Sequence, residues 1–209
     1  MTKRIILLAL LAAATGLAQT VNCVVAIVNG EIITLLDVEV TAAFGLGHGP
    51  AADPDADPRL AALDALIDRR IVLGLAREVR GVSGEEIDAA VAELRASLGP
   101  EDFAAKLARF GLDDLDIWPY VEDRLLYERA LELRFSQSIP VSFTEIERYY
   151  RDIYAPERAR FGGTAGPLER VAGEIESRIQ GERRARQATN WVRDMRSRAD
   201  IEIKKDCLK

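Results

Sequence analysis

Chemistry in this chain would have to come from its acids, its two cysteines or its one histidine. The 34 aspartates and glutamates fall into helical pairs, but so many acids give such pairs by chance. Asp53, Asp55 and Asp57 imitate the start of a calcium loop, with Asp64 at its twelfth position. Pro58 stands where that loop needs its turn glycine, and an aspartate where a bidentate glutamate is usual. Calcium is therefore not expected. His48 lies within residues 45–58, a stretch of glycine, proline and aspartate that reads as a surface loop. A catalytic histidine needs a nucleophile and an orienting partner, and the sequence identifies neither. There is no phosphate loop, nucleophile elbow, metal-ligand cluster or dinucleotide fingerprint. The residues point away from an enzyme and imply no cofactor and no metal.

The cysteines are the sharper signal. Cys23 and Cys207 match no zinc or redox spacing. They sit at opposite ends of the chain beyond a leader-like segment. Lys3 and Arg4 form a basic start, Ile5 to Ala14 an apolar run too short to span a bilayer comfortably, and Gly16-Leu17-Ala18 a small-residue site. Residues 1–18 read as a signal peptide cleaved after about Ala18. Export makes a disulfide permissible.

The elements that would hold the cysteines are strands. Val24 to Thr34, VVAIVNGEIIT, has two apolar runs around Asn29-Gly30, the dipeptide of a two-residue hairpin. A lone hairpin is marginal and needs a further partner. Ala199 to Lys205 alternates Ile201 and Ile203 with charges, as a half-buried strand does. If that strand runs antiparallel to the first, Cys23 meets Cys207 and Ile27 faces Ile203. A Cys23–Cys207 disulfide is expected.

Between the strands the chain reads as helix. Thr34 caps a helix to about Phe44, with Asp37 at its third position. Asp57 and Pro58 open a helix to about Arg80. Ser83 with Glu86, and Ser142 with Glu145, form capping boxes for helices 84–98 and 143–154. Pro100 opens a helix to Phe110. Pro119 either starts the next long helix near Asp116 or kinks it. Residues 155–166 read as a connector, and Pro167 to about Arg198 as a final helix of about 45 Å at ~1.5 Å per residue. No internal repeat is evident. The fold class is mainly α, with a small antiparallel sheet made by the N-terminal hairpin and the C-terminal strand.

Of the 209 residues, 48% are hydrophobic and 30% charged, as in an ordinary globular protein. The formal charge of -6 gives no basic field for nucleic acid. The arginines of residues 182–186 read as a solvated helix face.

The order of elements resembles SurA-type periplasmic chaperones. The stretches that carry it are VVAIVNGEIITLLDVE, ALDALIDRRIVLGLARE and GVSGEEIDAAVAEL, with the tail PLERVAGEIESRIQGERRARQATNWVRDMRSRADIEI. The resemblance implies one chaperone domain over residues 19–209: an N-terminal part 19–154, the connector 155–166, and the closing helix and strand 167–209. It implies a periplasmic protein that binds unfolded or partly folded exported proteins, outer-membrane proteins among them. In that family a parvulin-type isomerase domain commonly occupies the place of the connector, which is too short to hold one. A groove of aromatic and apolar side chains would be needed, and Trp118, Tyr120, Tyr150, Phe161 and Trp191 are its candidates. Two readings stay open beside this one: a degenerate isomerase relative or other enzyme, and a structural subunit of an envelope assembly. Exchange of the last helix and strand between two copies is a route to a homodimer.

Overall fold

The computed structural model describes residues 23–47, 57–76, 81–137 and 139–208. The leader, His48, Asp53 and Asp55 lie outside them. The chain is mainly α-helical with a small antiparallel sheet. Strand β1 (Val24–Val28) turns into β2 (Glu31–Thr34) through Asn29 at φ 49° and Gly30 at φ 89°. Both take the left-handed conformation that a tight hairpin requires, which is why Asn-Gly stands there. The third strand, β3 (Ile201–Ile203), adds to the other edge of β1, giving the order β2-β1-β3. Asn29 helps to hold it. Its backbone N–H donates to Asp200 O at 2.8 Å, and its side-chain oxygen accepts from Asp200 N at 3.0 Å.

The register differs by one residue from the expected one. Ala26 faces Ile203 and Val28 faces Ile201, while Ile27 faces Glu202. The β1–β2 ladder carries an irregularity of its own, a bulge at Val25 between Val24 and Ala26. A bulge adds one residue and resets the alternation of faces. Cys207 is also not on a strand. It lies in a 3₁₀ turn, Lys205–Leu208, that follows β3. The turn absorbs the odd residue and brings Cys207 to a Cα separation of 6.0 Å from Cys23, to which it is disulfide-bonded.

Helix α1 (Leu35–Ala43) starts at Thr34, whose hydroxyl accepts from Asp37 N while Asp37 accepts from Thr34 N. Helix α2 (Pro58–Leu75) is capped by Asp57 and ends at Leu75, short of the expected Arg80. Ala76 is its C-cap, and residues 77–80 of the expected helix lie outside the described residues. Next come α3 (Gly84–Leu98), α4 (Pro100–Phe110) and α5 (Trp118–Arg134), with Pro119 in the first turn of α5. Of the two expectations for Pro119, the late start is the one observed. Asp113 caps the entry, its Oδ1 accepting from Leu115 N and Asp116 N.

The segment expected as one helix and a connector is more helical. Helix α6 (Phe143–Tyr149) passes into a π-helical turn, Tyr150–Tyr154, and then into α7 (Ala155–Arg160). Pro156 stands just past the π turn, inside this continuous helical run, where it can donate no backbone hydrogen bond. The connector is therefore only residues 161–167. Helix α8 (Leu168–Arg198) closes the chain before β3.

Four apolar clusters hold these elements. The sheet packs on α1 and α2 through Val25, Ala26, Ile33, Val38, Leu66 and Ile67. Helices α1, α3, α4 and α5 share Phe44, Leu94, Phe103 and Ile117, with Phe44 edge-on to Phe103 at 5.5 Å. Ile146, Tyr149, Tyr154, Ile175 and Ile179 join α6 and its π turn to the first half of α8. Val72, Tyr127, Ala130 and Val192 join α2 and α5 to its second half. Arg69 on α2 is also buried, and its guanidinium nitrogens find no hydrogen-bond partner among the described residues. Burial pushes that group down to about 10, against the opposing field of Asp123.

A repeat hidden in the sequence shows in the packing. Val82-Ser83-Gly84-Glu85-Glu86-Ile87 and Val141-Ser142-Phe143-Thr144-Glu145-Ile146 share V-S-x-x-E-I, and each opens a helix with a full capping box. Each box is gripped by an arginine from a long helix. Arg129 of α5 donates to Gly81 O and to Glu86. Arg183 of α8 donates to Pro140 O and to Glu145. In both, the carbonyl precedes the cap by two residues. Each glutamate thus caps its own helix and ties it to another.

This sets a pH dependence. The Ser142 backbone N–H, then its hydroxyl and Arg183, hold Glu145 down to about 2. The Ser83 backbone N–H and Arg129 likewise hold Glu86 below its usual value of 4.5. A lowered carboxyl stabilises the fold above its unfolded value and loses that effect as pH falls through the folded one. Melting temperature is expected to fall as pH drops from about 5 toward 2. The Glu145→Gln variant, lacking the titrating group, should show a shallower fall. Superimposable profiles for the two proteins would remove this account.

Candidate functional site

Helix α8 is the spine on which any site must be built. Its first half is covered by α6 and the π turn, its second by α2 and α5, and residues between the two are open on several faces. Arg196 fixes its far end against α2, with Nη1 at 3.1 Å from Asp68 Oδ1 and Nη2 at 2.5 Å from Asp64 Oδ1. Asp64, once the twelfth position of an imagined calcium loop, is thus ion-paired, and Asp57 is a helix cap paired with Arg59. Among the described residues no group of three histidine, cysteine, aspartate or glutamate side chains could hold a metal ion. Nor is any helix there long and apolar enough to cross a membrane.

Two cavities of about 580 and 510 Å³ run along the angle between α5 and α8. They share Leu131, Ala185 and Ala188, so they form one continuous groove. The alanines leave the α8 surface bare there, while Leu131, Phe135, Tyr127 and Val192 supply apolar area. Charges of both signs rim it: Glu128, Glu132 and Asp68 against Arg184, Arg193 and Arg196. Such a groove can take up apolar side chains and tolerate varied neighbours. It offers no gathered nucleophile, base or oxyanion donor set.

The five aromatics singled out from the sequence are not brought together. Trp118 and Tyr120 flank the α1–α3–α4–α5 cluster. The Tyr120 hydroxyl donates to Asp37 at 3.2 Å, and burial together with that carboxylate raises it to about 12. Tyr150 stacks on Tyr154 at 6.1 Å and donates to Gly166 O at 2.6 Å, tying the connector down. Phe161 is 89% exposed just beyond α7. Trp191 alone touches the groove wall, edge-on to Phe135 at 6.0 Å with the Arg134 guanidinium 4.4 Å over its ring. The groove residues Tyr127, Leu131, Phe135, Ala185 and Ala188 are not among the candidates drawn from the sequence. An Ala-x-x-Ala spacing four residues after Gly181 was the available signal, and small residues alone say little.

A second cleft, of about 470 Å³, lies on another side of α8, under α6 and the π turn. Ile153, Ile179 and Tyr149 give it an apolar part, and Arg148, Arg186, Gln187 and Asn190 a polar one.

No protein-family model matches this sequence, and no curated protein matches it either. Solved structures do match, among them one described as belonging to two structurally related SurA-like chaperones of the human pathogen Campylobacter jejuni, the virulence factor PEB4 and the periplasmic protein Cj1289. The identity is 15%, the TM-score 0.51, and the match covers 88% of this chain and 100% of that one. At this identity the likeness is one of fold, and the fold is SurA-like.

Proposed function

We propose that this chain is a periplasmic holding chaperone for unfolded or partly folded exported proteins, outer-membrane proteins among them. The open apolar groove between α5 and α8, on a SurA-like fold, carries the reading. Apolar surface with a mixed-charge rim suits many sequences and selects few. The Cys23–Cys207 bond fits an oxidising compartment and a chain exported behind its first 18 residues. The protein acts without catalysis and without prolyl isomerase activity. Residues 155–167 hold a six-residue helix and a short connector, far less than a catalytic domain. Helix α8 and β3 also exchange between two copies at higher concentration, with residues 161–167 as the hinge.

The test is suppression of aggregation of an unfolded outer-membrane protein by the purified protein, with light scattering to read its own mass. Delay of aggregation is expected, and filling the groove with Ala188→Trp should raise the amount needed about tenfold, a change of ~1.4 kcal/mol. No delay over a wide concentration range would overturn the holding role. Acceleration of proline isomerisation in a model peptide, free of contaminants, would overturn its non-catalytic part. A mass that stays monomeric at high concentration would overturn the exchange.

A further inference from the structure

The second cleft differs from the groove in its charge. Three acids and three arginines line it, and most of them are already engaged. Arg183 holds Glu145, and Asp152 is paired with Arg151 outside the cleft. Glu182 accepts the Tyr149 hydroxyl, and that contact, with burial, raises Tyr149 to about 12. Arg148 lies in the field of Asp152 and helps lower its carboxyl, but neither it nor Arg186 makes a close ion pair or hydrogen bond among the described residues. Two exposed guanidinium forks are therefore open to a ligand beside an apolar patch, Ile153 and Ile179, and two side-chain amides, Gln187 and Asn190.

We infer that this cleft binds the free C-terminal carboxylate of an unfolded chain that ends in an apolar residue. Each part of such a terminus has its counterpart. Planar guanidinium groups suit a carboxylate. Ile153 and Ile179 suit the last side chain, and the amides of Gln187 and Asn190 can meet the last peptide group, which needs one donor and one acceptor. The volume falls within the ~300–1,000 Å³ of small-ligand sites. Glu182 and Asp152 at the wall disfavour a doubly charged phosphate, so a single negative charge fits better. The π turn supports the assignment. Such turns interrupt α-helices mostly at functional positions, and this one carries Asp152 and Ile153 into the cleft wall.

The ligand rests on the holding role proposed above, and the experiment separates the two. A fluorescently labelled hexapeptide ending in leucine is titrated with the full, disulfide-bonded chain, as the free acid and as the C-terminal amide. The free acid should bind about tenfold more tightly or better, as loss of charge-assisted hydrogen bonds implies. The Arg148→Gln, Arg186→Gln double variant should bind both forms alike while keeping its melting temperature, since both arginines are exposed and unpaired. Equal binding of acid and amide by the natural protein would overturn the inference. So would an unchanged acid preference in the double variant. So would equal competition by an amidated peptide with an internal aspartate, or by inorganic phosphate. The double variant should still delay aggregation of a full-length client, and this arm reads the holding role alone.

Discussion

Replacing Cys207 with serine should lower the stability of the protein by about 2–5 kcal/mol. The bond joins residues 184 apart in sequence, so on the chain-entropy account it removes nearly as much unfolded-state freedom as one link can. It is also the outermost fastening of the sheet. Beyond the β1–β3 ladder, Lys204 N donates to Val25 O at 2.7 Å, and Cys207 and Leu208 then pack on the sheet cluster. Without the bond, only a three-residue strand and this short turn keep the C-terminal end in place. Urea unfolding under non-reducing conditions reads the loss. The natural protein in excess reductant should fall to the midpoint of the variant, and the variant should not respond to reductant. Equal midpoints for both proteins in oxidising buffer would mean that the bond does not form.

Truncating Ile175 to alanine should cost about 2–5 kcal/mol, the range for a buried isoleucine. Ile175 is fully buried between α8, α6 and the π turn. Its neighbours Ile146, Tyr149, Tyr154 and Ile179 belong to a cluster that shares no buried residue with the sheet cluster. The damage should therefore stay local. Amide exchange should quicken across residues 143–160 and the first half of α8, while the amides of Val25, Ala26 and Ile33 stay protected. Uniform loss of protection would show instead that the two halves of α8 unfold as one unit.

What could be read in advance was local. The Asn29-Gly30 turn, the boxes at Ser83 and Ser142, the Thr34 cap and Pro100 each depend on residues within four positions of one another, and each stands where the sequence places it. The pairing of Cys23 with Cys207 was legible because two strands at the chain ends have few other partners. Its register was not, because Cys207 sits in a turn beyond β3 and not on the strand, so matching the cysteines does not fix which residues of β1 and β3 face each other. The π turn Tyr150–Tyr154 was not legible either. The groove was hardest to see. Ala185 and Ala188 are unremarkable until α5 lies beside them, and of the aromatics chosen for their chemistry only Trp191 touches the groove wall. The paired arginine grips also escaped notice, since Arg129 and Arg183 stand 48 and 43 residues from the carbonyls they hold.

The place of β1 at the centre of the sheet has a consequence for how the protein is made. Its hairpin partner is synthesised at once, but β3 comes only at Ile201. At ~5–20 residues per second, roughly ten to forty seconds separate Cys23 from Cys207. Through that interval β1 carries a bare edge of amide and carbonyl groups, the kind of edge that recruits stray strands. The hairpin, α1 and α2 can assemble early, yet the sheet cannot close until Ile201–Ile203 have arrived. A protein proposed to guard unfinished chains thus passes through its own long unfinished state, and for that time it is a customer for such protection itself.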